Sequence, residues 1–167
     1  MEQAFREQVW RAAGRADVRE AVGRLYADVQ AEIAARRPVC VASGRCCRFE
    51  EFGHRLFVTT MELAAFAYEL QTSVEDAASP SESWDGTGCP FQVARLCGVH
   101  AIRPFGCRMF FCDATSTEWQ NETYERFHAR LKDLHGELGV PYYYVEWRLA
   151  LRMAGLGPSL SARGESF

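Results

Sequence analysis

The chain has 167 residues and a mass of 18.9 kDa, with 48% apolar and 25% charged residues. That is enough to fold as one domain burying roughly two-thirds of its unfolded surface, and it excludes a wholly disordered, collagen-like or coiled-coil chain. Nineteen basic residues against 22 acidic ones leave a formal charge of −3, a balance that does not favour nucleic acid as an obligatory partner.

The opening residues carry charges at Glu2, Arg6, Glu7 and Arg11, with no apolar core of a secretory signal behind them. The longest apolar run, 63–68, is far too short to span a membrane. A cytoplasmic chain with no membrane partner is the expectation. Residues 4–36 carry an apolar stripe at helical spacing, from Phe5 and Val9 through Val22, Leu25, Val29 and Ile33. Gly14 or Gly23 can break it, and Pro38 ends it. Residues 39–55 read as a loop and 55–59 as a short strand. Thr59 and Glu62 form a capping-box pattern for a helix over about 60–70.

Residues 71–88, rich in Ser, Thr, Gly, Asp and Pro, read as a long loop. Two short extended pieces follow, Cys89–Val93 and Leu96–Val99, with a turn near Ala94 and Arg95. Thr117 with Gln120 predicts a capped helix over about 118–138, ended by Gly139 and Pro141. A last helix is expected from Tyr142 to Met153. The whole reads as a mainly α single domain over 1–154, with helical flanks, an irregular cysteine-rich core with short strands at 39–112, and a flexible tail at 155–167.

Seven cysteines stand at 40, 46, 47, 89, 97, 107 and 112. An odd number in a reducing compartment does not read as a disulfide framework. Thiolates crowded on glycine-containing loops can converge on one soft metal, which selects zinc, copper or iron–sulfur over magnesium or calcium. All of Cys40, Cys46, Cys47, Cys89, Cys97, Cys107 and Cys112 are therefore candidate ligands, with Cys40 and Cys112 the weakest. Only Cys107 and Cys112 have zinc-knuckle spacing, and side chains of the adjacent pair Cys46 and Cys47 are expected to diverge. That favours a [4Fe–4S] cluster, which needs four cysteines of the seven, over Zn²⁺. Arg103 and Arg108 flank the cysteines and are expected to offset the negative charge of the centre. His100 is a possible ligand, though a packed surface residue is the favoured reading. His54, His128 and His135 are expected to face solvent or cap helices. Phe105, Phe110 and Phe111 are expected to wall the site.

The pattern Cys40-Val-Ala-Ser43-Gly44-Arg-Cys46-Cys47, then Cys89-Pro90-Phe91, Cys97, Arg103-Pro104 and Cys107-Arg108, resembles a bacterial cysteine-cluster family. That family has a C-x-x-C-G-x-C-C motif and is described as zinc- or iron-chelating. The resemblance spans residues 40–112 and departs at Ser43, where the motif has its second cysteine; Cys112 is a possible substitute. It implies a metal-binding protein of undefined physiological role and protein partner. A similar cluster occurs in flagellin lysine methylases, which implies redox or methyl-transfer chemistry as an alternative; metal buffering or delivery is the third. No P-loop, dinucleotide fingerprint, nucleophile elbow or H-E-x-x-H motif is present.

Overall fold

The long amphipathic stripe at the N-terminus folds as two helices, α1 (Glu2–Ala13) and α2 (Ala16–Arg36), in the computed structural model of the chain, which describes residues 1–72, 79–81 and 84–158. The break falls at Gly14 and at Arg15, whose backbone is extended. Gly23 lies on the exposed face of α2, which runs through it. Arg37 closes α2 in the left-handed conformation, returning its N–H to the Ile33 carbonyl, one residue before Pro38.

After a single 3₁₀ turn (Arg45–Cys47) and a four-residue helix α3 (Phe49–Phe52), β1 (Phe57–Thr59) leads into α4 (Thr60–Thr72). The expected capping box forms. Thr59 N donates to Glu62 Oε2 at 2.9 Å, and Glu62 N donates to Thr59 Oγ1 at 3.4 Å. The first turns of α4 are buried on nearly every side, so this helix runs through the middle of the molecule, against α1 and α2.

Residues 73–78 and 82–83 of the expected 71–88 loop lie outside the described residues. Next, β2 (Gln92–Val93) and β3 (Leu96–Cys97) form the expected hairpin, with Gln92 opposite Cys97. Its two turn residues, Ala94 and Arg95, are both left-handed, at φ 47° and 67°. A 3₁₀ turn (His100–Ile102) and the short α5 (Phe105–Arg108) lead through a third 3₁₀ turn (Ala114–Ser116) to α6 (Thr117–Leu138).

The capping box expected at Thr117 and Gln120 does not form. Asp113 instead caps the 3₁₀ turn ahead of α6, accepting from Thr115 N at 3.0 Å and Ser116 Oγ at 2.8 Å, while Gln120 Oε1 is used by Phe111 N. The last helix also starts later than expected. Tyr144–Glu146 is a strand, β4, paired antiparallel with β1 (Val58 opposite Val145), and α7 covers only Trp147–Ala154. Consecutive aromatic residues suit an extended edge better than a helix start, and Thr60 locks them by two bonds with the Tyr143 backbone. The start of the tail is packed: Gly155 is left-handed and Leu156 is buried, its N–H on the Leu151 carbonyl at 2.8 Å. Residues 159–167 lie outside the described part.

Helices make up 62% of the described residues, and the sheets are two-stranded, so the fold is a mainly α single domain. Its main core joins Phe5, Val9, Val22, Leu63, Phe66, Phe91, Trp147 and Leu151. A smaller one joins Leu25, Val29, Phe105, Met109, Phe127 and Leu131 between α2, α5 and α6. Among the described residues no helix is long and apolar enough to cross a membrane.

Candidate metal centre

Two glycines fit the first cysteine loop against the second. Gly44 is left-handed at φ +69°, and a Cβ there would meet the Arg95 carbonyl oxygen at 2.1 Å. Gly88, at φ +61°, passes so close to Cys47 that a Cβ would sit 2.7 Å from its carbonyl oxygen. Only glycine accepts both the conformation and the approach. The backbones are then tied: Cys89 N donates to Cys47 O at 2.8 Å, and Gln92 Nε2 to Gly44 O at 3.0 Å.

This stitching brings five sulfurs into one neighbourhood. The Cys47 thiol lies among the sulfurs of Cys46, Cys89 and Cys97, near enough for each to shift its proton affinity. Cys107, on α5, is close enough to feel the charge of Cys46, Cys89 and Cys97. Cys46 and Cys47, carried by one 3₁₀ turn, both line the same cavity. That cavity has a volume of about 140 Å³, and Phe110 and Phe111 wall it as expected. Phe105 does not; it is buried in the smaller core, stacked on Tyr124.

The protonation pattern follows from the contacts. The Cys47 thiol donates to its neighbours, which lowers Cys46 to about 6 and Cys97 to about 7, and lowers Cys89 as well. Cys47 itself is raised, because it keeps the proton the others share. Backbone N–H groups near the sulfurs act in the same direction: that of Phe91 lowers Cys89 and that of Val99 lowers Cys97, each two residues beyond its cysteine. The buried indole of Trp147 adds an N–H to Cys89 Sγ at 3.4 Å. Burial raises the Cys107 thiol, with the neighbouring sulfurs adding to it.

Cys40 and Cys112 stand apart. Both are exposed; Cys40 reaches only the cavity wall, and Cys112 lies 3.9 Å from Ser43 Oγ. The arginines divide their work. Arg103 lies near enough to lower the proton affinity of Cys46, Cys97 and Cys107. Arg108 braces the backbone, donating to Arg103 O at 2.8 Å and Ala101 O at 3.0 Å with its guanidinium over the Tyr26 ring. His100 lines the cavity, but its Nε2 faces the Arg103 guanidinium, which can only donate. That lone pair is therefore occupied, and burial and Arg103 both push the imidazole pKa down.

Sequence reasoning missed three supports. Trp147 reads in the sequence as part of a helix packing face, and nothing local links it to the cysteines. His54 was placed at the surface, but its Nε2 meets the Cys46 carbonyl at 3.2 Å and its ring stacks on Phe110. Glu62 was read only as a cap. Its second oxygen accepts from Phe105 N at 2.9 Å and so fixes the start of the helix that carries Cys107. Of the two roles expected for His135, solvent-facing or capping, it takes the second: it is buried, with Nδ1 on the Val140 carbonyl just past the end of α6.

Soft sulfur donors, N–H groups aimed at them and an adjacent guanidinium match what a thiolate-bound metal requires. Among the described residues, no three His, Cys, Asp or Glu side chains already stand at metal-binding spacing. The chain matches no protein-family model, no curated protein and no solved structure.

Proposed function

We propose that the protein binds a metal centre through Cys46, Cys47, Cys89 and Cys97, with Cys107 as a fifth sulfur at its side. The carrying observation is that Cys46, Cys47, Cys97 and Cys107, from segments more than forty residues apart, line one cavity, with Cys89 tied by its backbone to Cys47 beside it. When bound, the metal cross-links loops that have little regular structure, contributing on the order of 10 kcal/mol of folding free energy for a zinc-like site.

An iron–sulfur cluster is the leading occupant. The cavity of about 140 Å³ is on the order of ten times the space one water needs, which suits a multi-atom group better than a bare ion. Arg103 supplies the positive charge that a cluster with four thiolates calls for. Zinc is the second reading, favoured by the grouping of Cys46, Cys89 and Cys97 around Cys47, since a tetrahedral ion draws its four sulfurs to about 2.3 Å from one point.

Anaerobic purification followed by metal analysis and a visible spectrum tests both. Brown protein with broad charge-transfer absorption and bound iron supports the cluster. Colourless protein with stoichiometric zinc replaces it with the second reading. Metal-free protein with an intact fold overturns the proposal.

A further inference from the structure

A second cavity, of about 170 Å³, backs onto the sulfur group. Cys46 and Cys107 line both cavities and so form a wall between them. The rest of the second cavity is bounded by the rings of Phe57, Phe110, Tyr124 and Tyr144. Two stacked pairs hold those rings in place: Tyr144 on Phe57, with centroids 5.2 Å apart, and Phe110 on His54 at 4.6 Å. Leu56 and Met109 are buried and mark the floor, while the exposed Arg55 marks the mouth.

The polar groups are unevenly satisfied. Tyr124 and Tyr144 hydroxyls bond each other at 2.6 Å; one donates, which leaves the other O–H hydrogen unused. Gln120 spends its oxygen on Phe111 N, which leaves its NH₂ group as a donor. Arg55 has no hydrogen-bond or ion-pair partner among the described residues, and no Asp or Glu is among those lining the cavity. The cavity thus offers three donors, one of them a full positive charge at the mouth. An acceptor-rich anionic group complements that set, and a carboxylate fits a guanidinium fork.

Size and wall chemistry fix the remainder. An apolar cavity of about 150 Å³ accommodates benzene, so this one has room for a single ring. The edge of an aromatic ring is positive and its contact with sulfur is favourable, which suits a ring edge turned to Cys46 and Cys107. We infer that this cavity binds a single-ring aromatic carboxylate, with its ring among Phe57, Phe110, Tyr124 and Tyr144 and its carboxylate at Arg55. The inference stands on the cavity and does not depend on a metal at the sulfurs.

Benzoate titrated into the full chain as purified, followed by calorimetry and ligand-observed NMR, tests it, with metal content measured on the same samples. Saturable one-to-one binding, millimolar or tighter, is expected, with benzyl alcohol at least tenfold weaker. Arg55→Leu removes an exposed side chain with no partner, so the fold stands; it should weaken benzoate at least tenfold and leave benzyl alcohol unchanged. Absence of saturable benzoate binding, or benzoate binding that Arg55→Leu leaves unchanged, overturns the inference. Benzoate bound to metal-free protein would sustain this inference and overturn the metal centre; metal without benzoate would do the reverse.

Discussion

Cys47 is buried, with Cys46, Cys89 and Cys97 near enough to shift its proton affinity, whereas Cys112 is exposed, 3.9 Å from Ser43 Oγ. Cys47→Ala should therefore abolish metal retention, while Cys112→Ala retains most of it; metal analysis of the two purified variants checks this. Equal losses would mean that the sulfurs act through another arrangement. Gly44 belongs to the same argument. Gly44→Ala combines a left-handed backbone with a Cβ driven onto the Arg95 carbonyl, so it should cost more than about 1–2 kcal/mol in urea unfolding and lower metal content with it. The motif residues made this glycine visible in the sequence. The reason for it, a hairpin tip pressed against the loop, depends on a contact across some fifty residues that no local pattern carries.

Glu62 shows how far local reading goes at the scale of an element. The capping box at the start of α4 was legible because both partners lie three residues apart. The bond to Phe105 N was not, because it links α4 to α5. The carboxyl is only 2% exposed, and burial raises its pKa from an ordinary 4.5 to about 7, against the lowering effect of its backbone N–H partners. The folded state then binds the proton more tightly than the unfolded one. The resulting stability is fully present below about pH 4.5 and is lost as pH rises through about 7, a fall of about 3 kcal/mol. Urea unfolding of Glu62→Gln should show this slope removed, together with a lower midpoint at pH 5, because an amide offers only one acceptor for two N–H groups. A Gln variant with the wild-type slope would assign the effect elsewhere.

The β2–β3 hairpin belongs to the same scale. Its turn was placed correctly from the flanking extended pieces, but Ala94 and Arg95 occupy a left-handed turn that favours Asn-Gly. Ala94→Asn with Arg95→Gly should raise stability by roughly 1–2 kcal/mol, read as a higher urea midpoint at unchanged metal content. The strand β4 was misread as helix because Tyr142–Tyr144 has no periodicity of its own to separate the two. Only its pairing with β1 and the Thr60–Tyr143 bonds decide the matter.

For the whole molecule, the helices carry the two cores and the cysteine loops hang between them. The mainly α class was legible because α1, α2 and α6 have long apolar faces and clear stops. The candidate site was half legible: clustering of cysteines showed in the sequence, but which of them meet did not. Cys40 and Cys112 were the weakest candidates in the sequence and are exposed in the fold, but which of the other five lie together depends on contacts between distant segments. Metal binding should also appear as stability, since the loops at 39–55 and 89–112 gain a cross-link that the unfolded chain lacks.

The most direct measurement is urea unfolding of anaerobically purified chain, with iron and zinc content determined, before and after a strong chelator. A metal centre predicts stoichiometric iron or zinc, with a midpoint that falls clearly when the chelator removes it and that in Cys47→Ala is already low and insensitive to chelator. Metal-free protein whose midpoint is the same with and without chelator, and the same in Cys47→Ala, would contradict the account.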